Sequence, residues 1–402
     1  MVMEKKMVIY YIPILILLIA TLRKKYLGNL EEKILVISLM IFLCTTYFNG
    51  SDWRSYELMY NNLSRYDLRT FSREKGFYIY MFFFRSLGFD FWTFFILTKI
   101  SCFYVFYLKL KEYTSDIYFT LFLLYGYIFL YFFIDCPLRN LIAISIFLMG
   151  EKYLRSGERL KYICYIILAY SFHNTSIVMI FPLIFNNIYK LNKQVLLLIL
   201  GVCFIIFLNP EILLKISEYL PLKYQHKILG RIESDGLKSS FFSLGSMEKI
   251  FLTFMIVCMK QKLLKKTRKN KIIIVMCCIY FIFYRIALTF PFLGRLNQYF
   301  IVFYIMGIVE VISLLKRDIR NVVLILLSCY VLILIYQNIH QNYKYLPYTS
   351  YLKYIFREKP SFMYRDNYNF IKLIENAKKT GEVIDINKLK LEKERLKRNA
   401  GY

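Results

Sequence analysis

The sequence predicts an all-α, polytopic membrane protein of about twelve transmembrane helices, some broken or short, and three observations carry that expectation. The 402 residues are 58% hydrophobic. Their mean hydropathy is +0.45, and the apolar residues come in long blocks rather than at amphipathic spacing, unlike an ordinary soluble domain. Lys and Arg are distributed unevenly between the connections, as membrane sidedness requires. A transmembrane barrel is a poor fit, because its strands alternate polar and apolar residues and are shorter than these blocks.

Apolar helices are expected at about 7–22, 33–48, 91–110, 117–133, 138–154, 161–172, 174–189, 193–208, 247–264, 271–289, 297–315 and 321–338. Several fall short of the roughly 20 residues a spanning helix usually needs. The first ends at Arg23-Lys24-Lys25 without a small-residue cleavage site, so no cleavable signal peptide is expected. Eight of the nine cysteines lie inside apolar runs and Cys136 at the end of one; none is spaced like a zinc or haem site.

The formal net charge is +27. The connections 23–33, 109–116, 151–161, 190–193, 260–271 and 316–320 hold 22 Lys/Arg and 7 Asp/Glu in 51 residues. The alternating set, 49–90, 134–139, 209–248 and 290–297, holds 13 Lys/Arg and 11 Asp/Glu in 96 residues. The positive-inside rule makes the first set cytoplasmic and puts both termini outside. The basic run KQKLLKKTRKNK (260–271) is then a topology determinant rather than a nucleic-acid surface.

That alternation bears on residues 161–189, which are apolar enough for one span but carry Ser171-Phe172-His173-Asn174-Thr175-Ser176 in the middle. A single helix there would put Lys190 and Lys193 outside and reverse every later loop. A break at His173 restores the pattern. The first half would rise only about 18 Å, short of a hydrocarbon core of roughly 30 Å, leaving the polar hexad at membrane depth. Irregular backbone survives there where protein buries it or where it lines a wet cavity.

Two outer loops are large, 49–90 and 209–246. Within the first, Gly76–Gly88 is too short to span and reads as an interfacial or re-entrant helix. The second carries Glu211, Lys223, His226, Arg231, Glu233 and Asp235. Residues 1–350 form the expected membrane domain. Residues 351–402 form a charged tail with heptad-like apolar spacing, first at Phe370, Leu373 and Ile374, then at Ile384, Ile386, Leu389 and Leu391.

Polar clusters fall at outer helix ends and outer loops. Asp52-Trp53-Arg54-x-Tyr56 opens the first loop, with Glu57 and Glu74 nearby. Asp135-Cys136-Pro137-Leu138-Arg139-Asn140 joins two helices, and His173 sits in the break. Arg285 and Arg295 flank TFPFLG (289–294), with Tyr299 one turn after Arg295. Charge at membrane depth is expensive without a partner or ligand. Taken alone, Arg139 reads at least as well as a snorkelling residue or a partner of Asp135 as it does as a ligand-binding cation. Three arginines and a histidine at one face suit a lipid diphosphate, because the guanidinium fork matches phosphate oxygens. Asp52, Glu74 and His173 are the candidate proton acceptors for a sugar hydroxyl. No Asp-x-Asp metal–nucleotide site, Walker loop or glycine-rich dinucleotide turn is present.

In these residues the chain resembles the EpsG-like branch of the Wzy-type bacterial polysaccharide polymerases, from about residue 30 to 350. The resemblance rests on Asp52-x-x-x-Tyr56-x-x-x-Tyr60, Glu74-x-Gly76-Phe77, Pro137-Leu138-Arg139-Asn140-x-x-Ala143 and Ser171-Phe172-His173-Asn174-Thr175-Ser176. It continues with Arg295-x-x-x-Tyr299 and closes with Tyr345-Leu346-Pro347-Tyr348. The family often has Arg-Gln at Arg139-Asn140, and a small residue follows its His-x-Ser where this chain has His173-Asn174-Thr175. The tail beyond about 360 has no counterpart.

The resemblance implies a GT-C-like, metal-independent hexosyltransferase with no cofactor. It would join undecaprenyl-diphosphate-linked oligosaccharide repeats at the outer face of the bacterial cytoplasmic (inner) membrane, for capsule, O-antigen or exopolysaccharide. The implied catalytic residues are His173, Asp52, Arg139 and Arg295; Arg285, Glu74, Tyr56, Asn140 and Tyr299 would bind substrate. Implied partners are the lipid-linked oligosaccharide, membrane lipid, and a chain-length regulator and flippase of the same pathway, with no nucleic acid. An O-antigen-ligase-like transferase and a lipid-linked oligosaccharide flippase stay open as alternatives. The flippase should show pseudo-repeat halves and short loops, whereas an ion-coupled transporter should show intramembrane carboxylates.

Overall fold

The computed structural model describes residues 2–63, 74–207, 243–267 and 269–380, with single positions at 215, 218 and 225. The expectations placed on Glu211, Lys223, His226, Arg231, Glu233 and Asp235, and on the apolar positions after 380, lie outside the described residues.

The described chain is all-helical. Its first helices are α1 (Val2–Arg23), α2 (Asn29–Cys44), α3 (Trp53–Asn61), α4 (Lys75–Ser86) and α5 (Phe91–Tyr113). Next come α6 (Ile117–Asp135), whose second half from Tyr125 is a π-helix, then α7 (Leu138–Ser156) and α8 (Arg159–Phe172). A 3-10 turn at Asn174–Met179 leads into α9 (Ile180–Ile184), α10 (Lys193–Ile206), α11 (Leu244–Cys258) and α12 (Lys260–Lys266). The last are α13 (Asn270–Thr289), α14 (Gly294–Asn297), α15 (Ile301–Ser313), α16 (Arg317–Gln341) and α17 (Phe362–Thr380).

Among the described residues, five stretches are long and apolar enough to cross a membrane: Met7–Tyr26, Phe91–Tyr113, Ile117–Asp135, Asn270–Thr289 and Arg317–His340. Two more apolar helices, Lys193–Ile206 and Ile301–Ser313, are shorter. The helix expected at 247–264 is instead two, turning at Met259. The span expected to break at His173 does so: His173 is extended, at φ −153° and ψ 124°. Beyond it the chain forms a 3-10 turn and then the five-residue α9, not the continuous helix to 189 that the sequence suggested. Asn, Thr and Ser side chains compete for local backbone groups and weaken a helix there.

The chain divides into two compact units. The first comprises residues 1–107, 121–142 and 325–402. At its centre, the stretch after α2 pairs antiparallel with the stretch after α16. Tyr47 N–H donates to Thr349 O (3.0 Å), Gly50 N–H to Lys344 O (3.0 Å) and Tyr351 N–H to Thr45 O (2.7 Å). Asn49 completes the pairing, its amide donating to the carbonyls of Lys344, Tyr345 and Pro347 while its oxygen accepts from Thr349 N–H and Oγ1. Gly50 has φ +84°, and a Cβ there would stand 2.5 Å from Ile134 O and 2.7 Å from Asp135 O. Only glycine fits so close a backbone approach in the left-handed region.

The segment past 350, expected as a charged tail, supplies α17, which packs within this unit. Arg365 grips Glu57 of α3 through two hydrogen bonds of 2.6 and 2.9 Å, both side chains being buried. Removing one partner of such a pair strands a buried charge, at a cost of about 3–5 kcal/mol.

The second unit comprises residues 108–120 and 143–324. Its core packs α11, α13 and α15 together. At Gly307 an added Cβ would meet Cys277 Sγ at 2.7 Å, the close approach that small residues permit between membrane helices. Charges of the basic connections are compensated here. Glu151, fully buried, accepts from Tyr113 and from Lys109 (3.3 Å), while Glu112 pairs with Arg155 (2.6 Å) and Lys109 (2.9 Å). Glu310, also buried, takes Lys266 (2.7 Å) and the Ser115 N–H (2.6 Å).

Gly50→Ala should destabilise the protein by at least about 2 kcal/mol, from left-handed strain plus carbonyl overlap. A thermal melt in detergent, showing a lower midpoint and reduced yield of folded protein, checks this.

Candidate active site

In the first unit the structure brings together four of the sequence-selected residues. The turn between α6 and α7 sets the geometry: Cys136 is left-handed at φ 53°, and Pro137 accepts the first helical hydrogen bond of α7 from Leu141 (3.0 Å). That turn presents Asp135 and Arg139 on either side. Arg139 pairs through Nη1 with Glu74, the residue preceding α4, and its guanidinium lies 5.6 Å from the ring centroid of Tyr56. Its expected alternative partner was Asp135, but Asp135 is committed elsewhere. It accepts from Ser51 N–H and Oγ, each at 3.0 Å, and from Lys344 Nζ at 2.7 Å.

Asp52 joins this group through Ser51, whose hydroxyl reaches Asp52 Oδ1 at 3.3 Å as well as Asp135. Its charge is also felt by Tyr56 and by Lys344. Burial pushes the Tyr56 hydroxyl well above its usual pKa, with Arg139 opposing, so Tyr56 is held as the neutral phenol. Arg139 Nε is buried and has no hydrogen-bond partner among the described residues. A guanidinium with one arm on Glu74 and a donor unspent is equipped to hold an anion. Asn140, 1% exposed, is the next residue on α7.

The second unit gathers a different group. His173, 8% exposed, ends α8 by donating its N–H to Ala169 O (2.9 Å) and accepts Ser176 N–H (3.1 Å). Tyr162 OH reaches forward to Met179 O (2.8 Å), fastening the 3-10 turn to α8. The turn packs on α14, which carries the exposed Arg295, and Thr175 Oγ1 lies 3.2 Å from the hydroxyl of the buried Tyr299. Ser176 Oγ is buried and lacks a partner among the described residues. Arg285 does not line an exposed face: it is fully buried, 5.2 Å from the ring centroid of Phe204, with Nη2 3.5 Å from Thr289 Oγ1.

Sequence reasoning passed over several polar residues that the fold makes prominent. Lys99, fully buried within α5, donates to Thr46 Oγ1 at 2.8 Å and lies 5.0 Å from the Phe95 ring. A lone cation inside an apolar run was the available signal. Lys249, at the start of α11, pairs with Glu248 and stands 5.3 Å over Tyr284. Lys344 had no such signal, because its partner Asp135 lies 209 residues away in the sequence. Among the described residues no three His, Cys, Asp or Glu side chains are grouped to hold a metal ion.

A helical chain with several bilayer-length apolar helices and buried, paired charges beside its loops is a membrane protein with a polar site. A comparison with protein families matches residues 33–350 to the EpsG family, and the chain belongs to that family, the Wzy-like polysaccharide polymerases. The match covers well over half the chain and agrees with the resemblance read from its motifs. Membership gives the protein a polysaccharide-polymerase, glycosyltransferase-like role. Comparisons with curated proteins and with solved structures gave no match.

Burial by itself would lower the pKa of Lys344, but Asp135 overrides it and the folded-state value is raised. The pair therefore stabilises fully below the unfolded lysine value, about 10.4, and loses that contribution as pH rises through the higher folded value. Melting curves between about pH 9 and 12 should fall more steeply for the wild type than for Lys344→Met, whose midpoint lies lower at neutral pH.

Proposed function

We propose that this protein polymerises undecaprenyl-diphosphate-linked oligosaccharide repeats at the outer face of the bacterial cytoplasmic membrane, as a multi-pass, metal-independent transferase. The observation that carries this reading is the guanidinium of Arg139, paired with Glu74, 5.6 Å from the Tyr56 ring and with its buried Nε unpartnered among the described residues. On this reading the acceptor hydroxyl of the incoming repeat gives its proton to Asp52 or His173. Its oxygen bonds the anomeric carbon of the growing chain, and the bond from that carbon to the lipid diphosphate breaks. The electron pair leaves with the diphosphate, which Arg139 receives. Diphosphate is a good leaving group, so a single base and a cation suffice. Glu74 keeps Arg139 oriented, Tyr56 donates to a sugar or phosphate oxygen, and Asn140, Tyr299 and Arg295 are carried as further substrate-binding positions, whereas Arg285, enclosed against Phe204, is not. The full complement of about twelve spans and a GT-C-like arrangement belong to the same proposal.

Deleting the gene tests it. Lipid-linked glycan run on a gel should collapse to a single repeat; long unattached polymer instead indicates a ligase, and repeats retained inside the cell indicate a flippase. Complementation with Arg139→Ala should lower polymer yield roughly 100-fold, the usual effect of removing one donor aimed at developing charge. Arg139→Lys, which keeps the charge but loses the planar fork, should recover only part of it. Asp52→Asn and His173→Gln separate the two bases: the variant that keeps wild-type polymer length clears its residue.

A further inference from the structure

The helix α17 lies beyond the family-matched span, yet it packs on α3, the helix that carries Tyr56. α3 has nine residues and no side-chain cap, too short to hold its own conformation or bearing. Tyr56 and Glu57 are neighbours on it, roughly 100° apart around the axis, so one face carries Tyr56 to Arg139 and Phe77 while the next carries Glu57 to α17. Arg365 spends both terminal nitrogens on Glu57 and its Nε on Pro360 O at 3.0 Å. Its guanidinium stands 5.0 Å from Trp53, 5.3 Å from Tyr47 and Trp92, and 5.9 Å from Phe362. A second tie, Arg54 to Asp366 at 3.1 Å, runs beside it with the charges reversed.

We propose that α17 is a clamp on α3, with Arg365 as the positioning residue that sets the rotation of α3 and so holds Tyr56 against Arg139. A bidentate pair fixes a plane as well as a distance, and the ring wall leaves the guanidinium one orientation. The catalytic consequence rests on the polymerase reading above; the mechanical one does not.

Trp53 and Trp92 are the chain's only tryptophans, and both face Arg365, so intrinsic emission reports on the clamp directly. The full-length protein in lipid nanodiscs is compared with Arg365→Lys, which keeps the charge but cannot fork, and with Lys372→Ala, on the same helix and paired with Glu375 one turn away. Arg365→Lys should shift tryptophan emission to the red and speed amide exchange across 53–61 at least about tenfold, leaving exchange in α13 unchanged. It should lower kcat for repeat transfer about 10- to 100-fold with KM within about twofold, as misplacement of a reacting group does. Lys372→Ala should match the wild type throughout. Unchanged exchange in 53–61, exchange rising equally in α13, or wild-type kcat despite loosened α3 overturns the proposal. If the wild type itself transfers no lipid-linked repeat, the polymerase reading fails, and emission and exchange alone decide the clamp.

Discussion

Hydrocarbon offers no hydrogen bonds, so each polar group at membrane depth must be answered by another part of the protein. That constraint organises this molecule. It forces the apolar runs into helices, where the backbone satisfies itself. It also explains why several buried carboxylates are matched by donors: Glu151 with Lys109 and Tyr113, Glu310 with Lys266, and Asp135 with Lys344. A charge whose capacity is only partly used therefore carries information. Arg139, with a buried Nε unanswered among the described residues, is such a case.

The first unit shows how irregular backbone and polar side chains are held among apolar helices. Its irregular stretches do not stand alone: residues 45–51 and 344–351 satisfy one another, and Asn49 serves five backbone and side-chain groups at their junction. The glycine at 50 lets this ribbon touch the carbonyls at the end of α6, which brings Ser51 to Asp135 and Asp52 beside it. Local backbone irregularity, expensive in lipid, is thus converted into a fixed array of carboxylates and cations. In the second unit the equivalent device is the broken span at His173, where a tyrosine from α8 secures the 3-10 turn.

Membership of the EpsG family and this arrangement meet at Tyr56, Glu74 and Arg139, residues of three separate motifs that the fold makes neighbours. The family match ends at 350, but the structural unit does not. Arg365 supplies the counter-charge for Glu57, one position from Tyr56, so a segment outside the matched region helps to build the part of the chain that the motifs mark.

Much was determined by the sequence alone. Apolar blocks of helical length dictated an all-helical membrane protein, because a chain with so little polar surface has no other way to satisfy its backbone in lipid. The loop charges located the break at His173, because an unbroken helix would have reversed the sidedness of every later loop. What the linear pattern could not carry was pairing between distant residues. It left Arg139 open between a ligand and the blander choices of snorkelling or pairing with Asp135, grouped Arg285 with the exposed cations, and treated the region past 350 as a tail. The fold gave Arg139 to Glu74, enclosed Arg285 against Phe204, and set Arg365 on Glu57. Each of those outcomes depends on which side chains share a desolvated space, a quantity that exists only once the helices have packed.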